Sequence, residues 1–398
     1  MTNQELEQAR QKAVITTDAL AASGKLNPAQ ADKFIDYVFD ETGLKDNART
    51  VRFRNESMNI DKIDIAQRVA MPAAEATAAR ARRGVTTSQV VLTPRAIVVP
   101  FEIGDDFKLN NLEGDAIEDH IIKMMATRTG NNLETLYLEG DGLGRAELES
   151  ELIEGGDAAR QIQDTYLALG QGWLRLADGG NQVDAAAANI GSNLMSRALN
   201  AMPTRFKRDM SKLRFLTSVN LEQLFRERIS SRATPGGDDA LTSIKPLTPF
   251  GVPLIKYPLF PHRYREVEHV TLAATTPIAL RRGNVANVTV HPATLAATPT
   301  TPFIPVTDFT LDAVAGTIAR TGGGAINDPT LVKVTYDAPP RIILTHEQNM
   351  IVGIGLDISI EKDRDIYART NQYAIHVKVA VEFEELTALV NVFNVGLG

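Results

Sequence analysis

Six histidines, His120, His262, His269, His291, His346 and His376, are the side chains best suited to acid–base work or zinc binding, and they are scattered along the chain. None forms a His-x-x-x-His pair or another spacing that holds a metal. His376 stands on the polar side of an alternating run, where a solvated or hydrogen-bonded histidine is the plain reading. The neighbours Asp105 and Asp106 could hold a cation. They belong, however, to a stretch with Glu102, Glu113, Asp115, Glu118 and Asp119 against Lys108, which reads as an acidic surface. No Gly-x-Ser-x-Gly elbow and no phosphate-cradling Gly-x4-Gly-Lys-Ser/Thr loop is present. Gly140 to Gly144 follows a helical stretch instead of a strand, and Gly322 to Gly324 lies between β-prone pieces, so both read as turns. The absence of cysteine excludes disulfides, thiolate catalysis and zinc–thiolate sites. Nothing converges on a reactive centre, so the expectation is a non-enzyme without catalytic residue, cofactor or metal.

The charge chemistry that remains is pairing between surfaces. Arg80, Arg82 and Arg83 sit in a segment of small residues, Met71 to Gly84, that has little to bury. A candidate partner is the acidic set Glu102, Asp105, Asp106, Glu113 and Asp115. An arm cannot easily fold back onto its own base, so these groups are expected to meet across subunits, where the forked guanidinium suits carboxylates.

The elements that must carry these groups are legible from periodicity. From Tyr373 onward the chain alternates, with Ile375, Val377, Val379, Val381 and Phe383 on one side and His376, Lys378, Glu382 and Glu384 on the other. That is a strand with one buried face. Ile354, Leu356, Ile358 and Ile360 alternate likewise, and Glu361 to Asp365 reads as a charged turn. The longest helical candidate runs from Leu112 to about Tyr137, with Ile117, Ile121, Met124, Met125 and Leu133 broadly on one side. An acidic stretch at 134–157 reads as solvated surface. The N-terminal 45 residues read as two helices, one around Leu6 to Ala22 and one capped by Asn27, begun at Pro28 and stopped at Gly43. Residues 66–100 read as two strands joined by a long exposed tip; a disordered basic loop is the alternative.

Residues 161–262 look α/β, with helices over Gln161 to Leu176, Ala185 to Met202 and Leu221 to Ile229, and strands at Leu213 to Leu216 and Val252 to Ile255. Residues 264–340 change character, holding 14 Thr and 8 of the 19 Pro. They read as a small all-β module of five to seven strands inserted into a surface loop, where long additions are tolerated.

Composition narrows the class. At 398 residues, 43% hydrophobic and 23% charged, the chain is an ordinary globular protein of two or three domains. A net charge of −7 disfavours a dominant phosphate-binding role. No run approaches the roughly 20 apolar residues of a membrane helix, and the N-terminus has no signal-peptide pattern.

Three stretches then carry a resemblance: Phe250 to Pro261, Arg214 to Leu224, and Lys362 to Asp365 followed by the terminal strand and Val390 to Val395. With the order arm, hairpin, long helix, α/β body and ribbon, the chain resembles the major capsid proteins of tailed bacteriophages, the Hong Kong 97-type fold. The resemblance implies an α+β fold, divided as a helical N-terminal arm (1–50), a peripheral-domain start (51–65), an extended hairpin loop (66–100) and a peripheral domain with its spine helix (101–160). An axial domain (161–263), an inserted all-β surface domain (264–340) that separately resembles small Ig-like modules through Asp308 to Asp312, Gly316 to Ile318 and Val334 to Tyr336, the axial domain end (341–370) and peripheral C-terminal strands (371–398) follow. Ile354 to Ile360 would finish the axial domain, and the strand from Tyr373 would pack beneath the spine helix. Some relatives weld the shell with a lysine from the extended loop; no lysine lies between Lys62 and Lys108, so that bond is not expected.

The function so implied is a shell protein that assembles into hexamers and pentamers around double-stranded DNA, without sequence-specific binding. Its expected partners are itself, a separate scaffolding protein, a portal and a decoration or cement protein. It would be built in the host cytoplasm, reside in the virion and touch no membrane. The alternatives are an encapsulin-like nanocompartment shell on the same fold and, in another class, a cell-surface binding protein using the β module. A gene neighbourhood with portal and terminase, or with a cargo enzyme, discriminates the two shells.

Overall fold

The computed structural model describes residues 14–15, 48–52, 57–64, 86–105, 107, 116–141, 166–231, 245–292 and 302–397. In chain order the early strands are β1 (Val14–Ile15), β2 (Arg49–Arg52), β3 (Met58–Asp64), β4 (Thr86–Leu92), β5 (Arg95–Gly104), β6 (Asn181–Asp184), β7 (Leu213–Ser218) and β8 (Leu254–Tyr257). Then come β9 (Tyr264–Leu272), β10 (Ile278–Ala279), β11 (Ala286–Pro292), β12 (Phe309–Asp312), β13 (Thr317–Arg320) and β14 (Thr330–Ala338). The chain ends with β15 (Ile342–His346), β16 (Met350–Asp365), β17 (Thr370–Phe383) and β18 (Leu389–Phe393). The α-helices are α1 (Ala116–Glu139), α2 (Trp173–Leu176), α3 (Ser192–Ala201) and α4 (Val219–Ser230).

A long ribbon sheet, ordered β1-β5-β17-β16-β2, forms one layer and α1 forms the other. The alternation of β17 decides this arrangement. Tyr373, Ile375, Val377, Val379 and Phe383 are buried, while Lys378 is exposed. At one end Tyr373 and Ile375 share a core with Ile117 and Ile121 of α1 and with Phe101 and Ile103 of β5. The Phe101 and Tyr373 rings stack there at 4.9 Å. Further along, Val377, Val379 and Phe383 share a core with Leu133, Leu136 and Tyr137. One helix of about 36 Å, at 1.5 Å per residue, thus covers the ribbon. Each side chain fully buried between them stabilises the fold by about 1.5–3 kcal/mol.

The second sheet, ordered β6-β18-β15-β7-β8, is buried on both faces. Ile342 and Leu344 of β15 join a core with α3 and α4, whereas Ile343 between them joins the core beneath α1. Continuous apolar strands are what a sheet covered on both sides requires. Ser218 ends β7 and caps α4, its hydroxyl accepting the Leu221 N–H at 3.4 Å. Trp173 lies in the core between the two sheets and donates its indole N–H to the Glu382 carbonyl at 3.3 Å.

Residues 264–338 build two three-stranded sheets, β11-β14-β9 and β10-β13-β12, around a core of their own that includes Val270, Leu272, Phe309, Ile318, Val334 and Tyr336. Tyr264 and Ala338 face each other in adjacent strands, so the segment leaves and rejoins the body at one place. That is the geometry an insertion into a loop needs.

Several expectations are corrected. Val14–Ile15 pair as a strand with Glu102 and Ile103, so no helix spans Leu6 to Ala22; β-branched side chains suit a ladder better. The helix from Asn27 to Gly43 lies outside the described residues. The hairpin starts earlier than residue 66, because its outgoing strand is β3, paired with β4 from Met58–Leu92 to Asp64–Thr86. Pro94 then separates β4 from β5. The helix expected over Gln161 to Leu176 is broken at Gly170 to Gly172. Gly172 donates to the Gly140 carbonyl at 2.7 Å, and a Cβ there would lie 2.5 Å from the Leu138 carbonyl oxygen. Asn181–Asp184 is a strand and α3 begins only at Ser192, because Ala186 and Ala187 adopt positive φ in the intervening turn. The run expected to finish the α/β body belongs to β16, paired with β17 along the ribbon. Glu361 to Asp365 continues that strand instead of turning. Conversely β18, expected among the peripheral strands, sits inside the α/β sheet between β6 and β15.

Candidate assembly surfaces

Of the eight residues expected to pair across subunits, the structure describes two. Glu102 lies half-buried on β5, opposite Gln372 of β17. Asp105 follows that strand, and its carboxylate accepts from the Arg364 guanidinium at 2.8 Å. Its acid is therefore already engaged within the subunit. Arg80, Arg82, Arg83, Asp106, Glu113 and Asp115 lie outside the described residues.

The root of the hairpin is tied to the ribbon by charge. Arg49 meets the Glu384 carboxylate at 2.7 Å, and Lys62 of β3 reaches the Glu384 carbonyl and the Glu385 carboxylate. Glu385 in turn accepts the Thr387 hydroxyl at 2.5 Å, and its N–H donates to Asn349 at 2.7 Å. Burial alone would raise the Glu385 carboxyl; the Thr387 hydroxyl and the Lys62 ammonium together outweigh it and hold the group below the ordinary glutamate range. At the far end of the ribbon the β16–β17 turn exposes Ile366 and Tyr367.

A buried ion network at the root of the 264–338 segment is absent from the sequence reading. Glu266 of β9 is fully buried and meets Arg175 at 2.7 Å, Arg282 at 3.2 Å and Arg341 at 3.7 Å. Arg175 also pairs with Asp141 beyond the C-terminal end of α1 at 3.1 Å. Asp178 accepts from Arg282 at 2.6 Å and from Arg341 at 2.9 Å. Arg341 further donates to the Leu174 carbonyl at 2.8 Å and lies over the Tyr264 ring at 4.3 Å. Burial alone would raise the Glu266 carboxyl; Arg282, Arg341 and Arg175 outweigh it and hold it below the ordinary range. Burial raises the Tyr264 and Tyr336 hydroxyls, the latter donating to Glu268. Elements from the helix end, α2, the insert and β15's approach thus meet at one network.

These groups are structural in their chemistry. Among the described residues no cluster of His, Asp or Glu could hold a metal ion. His376 lies 3.8 Å from Glu361, His346 caps the Gln348 N–H at 3.2 Å, and His262 is 3.5 Å from the Ser218 hydroxyl. Among the described residues no helix is long and apolar enough to cross a membrane.

The missed network had one local signal. In Tyr264 to Leu272 the alternation places Glu266 and Glu268 on the same side as Tyr264, Val270 and Leu272. Two acids with buried parity demand partners.

No known family profile matches the chain. Over 397 residues it is 26% identical to YqbE of Bacillus subtilis (strain 168), a protein named as a prophage capsid protein, with 99% of both chains covered. Among solved structures, the satellite phage P4 procapsid including size determination (Sid) protein is similar at a TM-score of 0.50 and 10% identity, covering 99% of this chain and 98% of that one. At that identity the likeness speaks to fold: a mixed α+β capsid fold.

Proposed function

We propose that the chain is the major capsid protein of a tailed phage or prophage, a shell subunit that assembles with copies of itself. The observation that carries this reading is the correspondence with the prophage capsid protein over 99% of both chains, on a fold that matches a procapsid chain end to end. A likeness confined to one module would have supported a shared part; a likeness over the whole length supports a shared role. The geometry is consistent with it: a long ribbon, the β3–β4 hairpin strands and an exposed turn offer surfaces for neighbours.

Finer parts of the proposal follow the resemblance. The subunits form hexamers and pentamers of an icosahedral head that encloses double-stranded DNA in the virion, after assembly in the host cytoplasm with a scaffolding protein, a portal and a decoration protein. The 264–340 segment is a surface domain on the shell exterior. Arg80, Arg82 and Arg83 of the hairpin tip meet acids of a neighbouring subunit. Exposed pairs contribute only about 0.2–1 kcal/mol each, so strength comes from repetition. Expression of the full chain and negative-stain microscopy test the reading. Closed shells are expected, whereas monodisperse monomers at high concentration would eliminate it. An Arg82→Glu, Arg83→Glu variant is expected to stay folded by circular dichroism but to assemble poorly; normal shells from it would remove the arginines from the interface.

A further inference from the structure

We infer that the β16–β17 turn of one subunit seats in a groove at the opposite end of the same ribbon on a second copy, a contact that rests on the shell reading and specifies it. The knob is Ile366 and Tyr367, both exposed and Tyr367 fully so. The turn is fixed rather than free. The Asp365 carboxylate accepts the N–H groups of Tyr367 at 2.9 Å and Ala368 at 3.0 Å. The Asp105 N–H donates to the Arg369 carbonyl at 3.0 Å, and Arg364 pairs with Asp105 beside it. A preorganised aromatic loses little freedom on docking, and tyrosine is a recurrent anchor at interfaces.

The groove is a cavity of about 590 Å³ whose accessible apolar side chains are Val91, Leu169 and Val381, above the buried Leu136, Tyr137 and Val379. Its rim carries Arg95 and Glu382. The knob carries Asp363 and Asp365 before the apolar pair, opposite in sign to Arg95. The knob and Val379 are 12 positions apart on an extended strand, about 40 Å, so a subunit cannot fill its own groove. A contact between two different patches is heterologous; repeated, it propagates from copy to copy and closes into rings when the rotation allows.

The chain contains no cysteine, which makes the test direct. The full-length chain carrying Val91→Cys and Tyr367→Cys, assembled and then oxidised, is expected to run as a ladder of multimers on non-reducing gels. Each single-cysteine variant is expected to give no ladder. Particles of the double variant without a ladder overturn the inference, and so do dimers from Tyr367→Cys alone, which would mean that tips meet tips. A chain with Ile366→Ser and Tyr367→Ser is expected to need at least about tenfold more protein to assemble, the loss of one anchor contact. Failure of the unsubstituted chain to form any particle sinks the shell reading itself and this contact with it. Assembly of that chain without the cross-link sinks only the contact.

Discussion

Glu266 is the residue on which most of the buried charge depends. It offsets Arg175, Arg282 and Arg341 in a site closed to water. Removing one partner of such a group leaves the others buried and undercompensated, at a cost of about 3–5 kcal/mol. Glu266→Gln is therefore expected to lower the urea midpoint at pH 7 sharply. The pH dependence has a definite sign. The folded carboxyl lies below its unfolded value, which is near about 4.3. Its contribution is fully present above that unfolded value and is lost as pH falls through the depressed folded one. The gap between the native chain and the variant should therefore close in acid. A gap that stays constant down to pH 3 would mean that the carboxylate charge is not what holds the network. The parity of Glu266 was visible in its strand, but its partners were not. They arrive from α2, from the turn after β10 and from the residue before β15, and no local pattern announces that meeting.

At the scale of elements, legibility followed locality. The alternation of β17 needed only neighbouring residues, and the buried face it implied is the face that packs beneath α1. The same holds for the body of α1. What failed was partner choice. Nothing within Met350–Asp365 says whether it joins the α/β sheet or the ribbon, because that depends on which strand it meets. The apolar run of β18 was misplaced for the same reason. The β17 face makes a sharp comparison between adjacent positions. Val379→Asp puts an unpaired charge into the core shared with Leu133 and Leu136, and a loss above about 4 kcal/mol and failure to fold is expected. Lys378→Glu reverses an exposed charge one position away and is expected to leave the stability within about 0.5 kcal/mol of the native chain while altering assembly. Parallel thermal melts and sedimentation of the two variants check this; equal destabilisation would mean that the strand is not one-sided.

For the whole molecule, residues 264–338 pose the question of what a chain proposed as a shell subunit does with a segment that has its own core. Its ends meet the body at Tyr264 and Ala338, and the Glu266 network fixes it there through Arg175 and Arg341. A module anchored by buried ion pairs moves with the body instead of swinging on a linker. Its far end is a loop around Gly322, Gly323 and Gly324; Gly323 has φ of 90° and open space where a side chain would stand. Neither the ribbon knob nor the groove draws on this end. A short epitope inserted between Gly322 and Gly323 should therefore change stability by less than about 0.5 kcal/mol and leave assembly intact, since exposed loop tips tolerate additions. If the module faces outward on the shell, intact particles carrying the epitope will bind its antibody as completely as particles dissociated in denaturant and refolded as subunits. Binding that appears only after dissociation would place the module on the inner wall or within a contact between subunits.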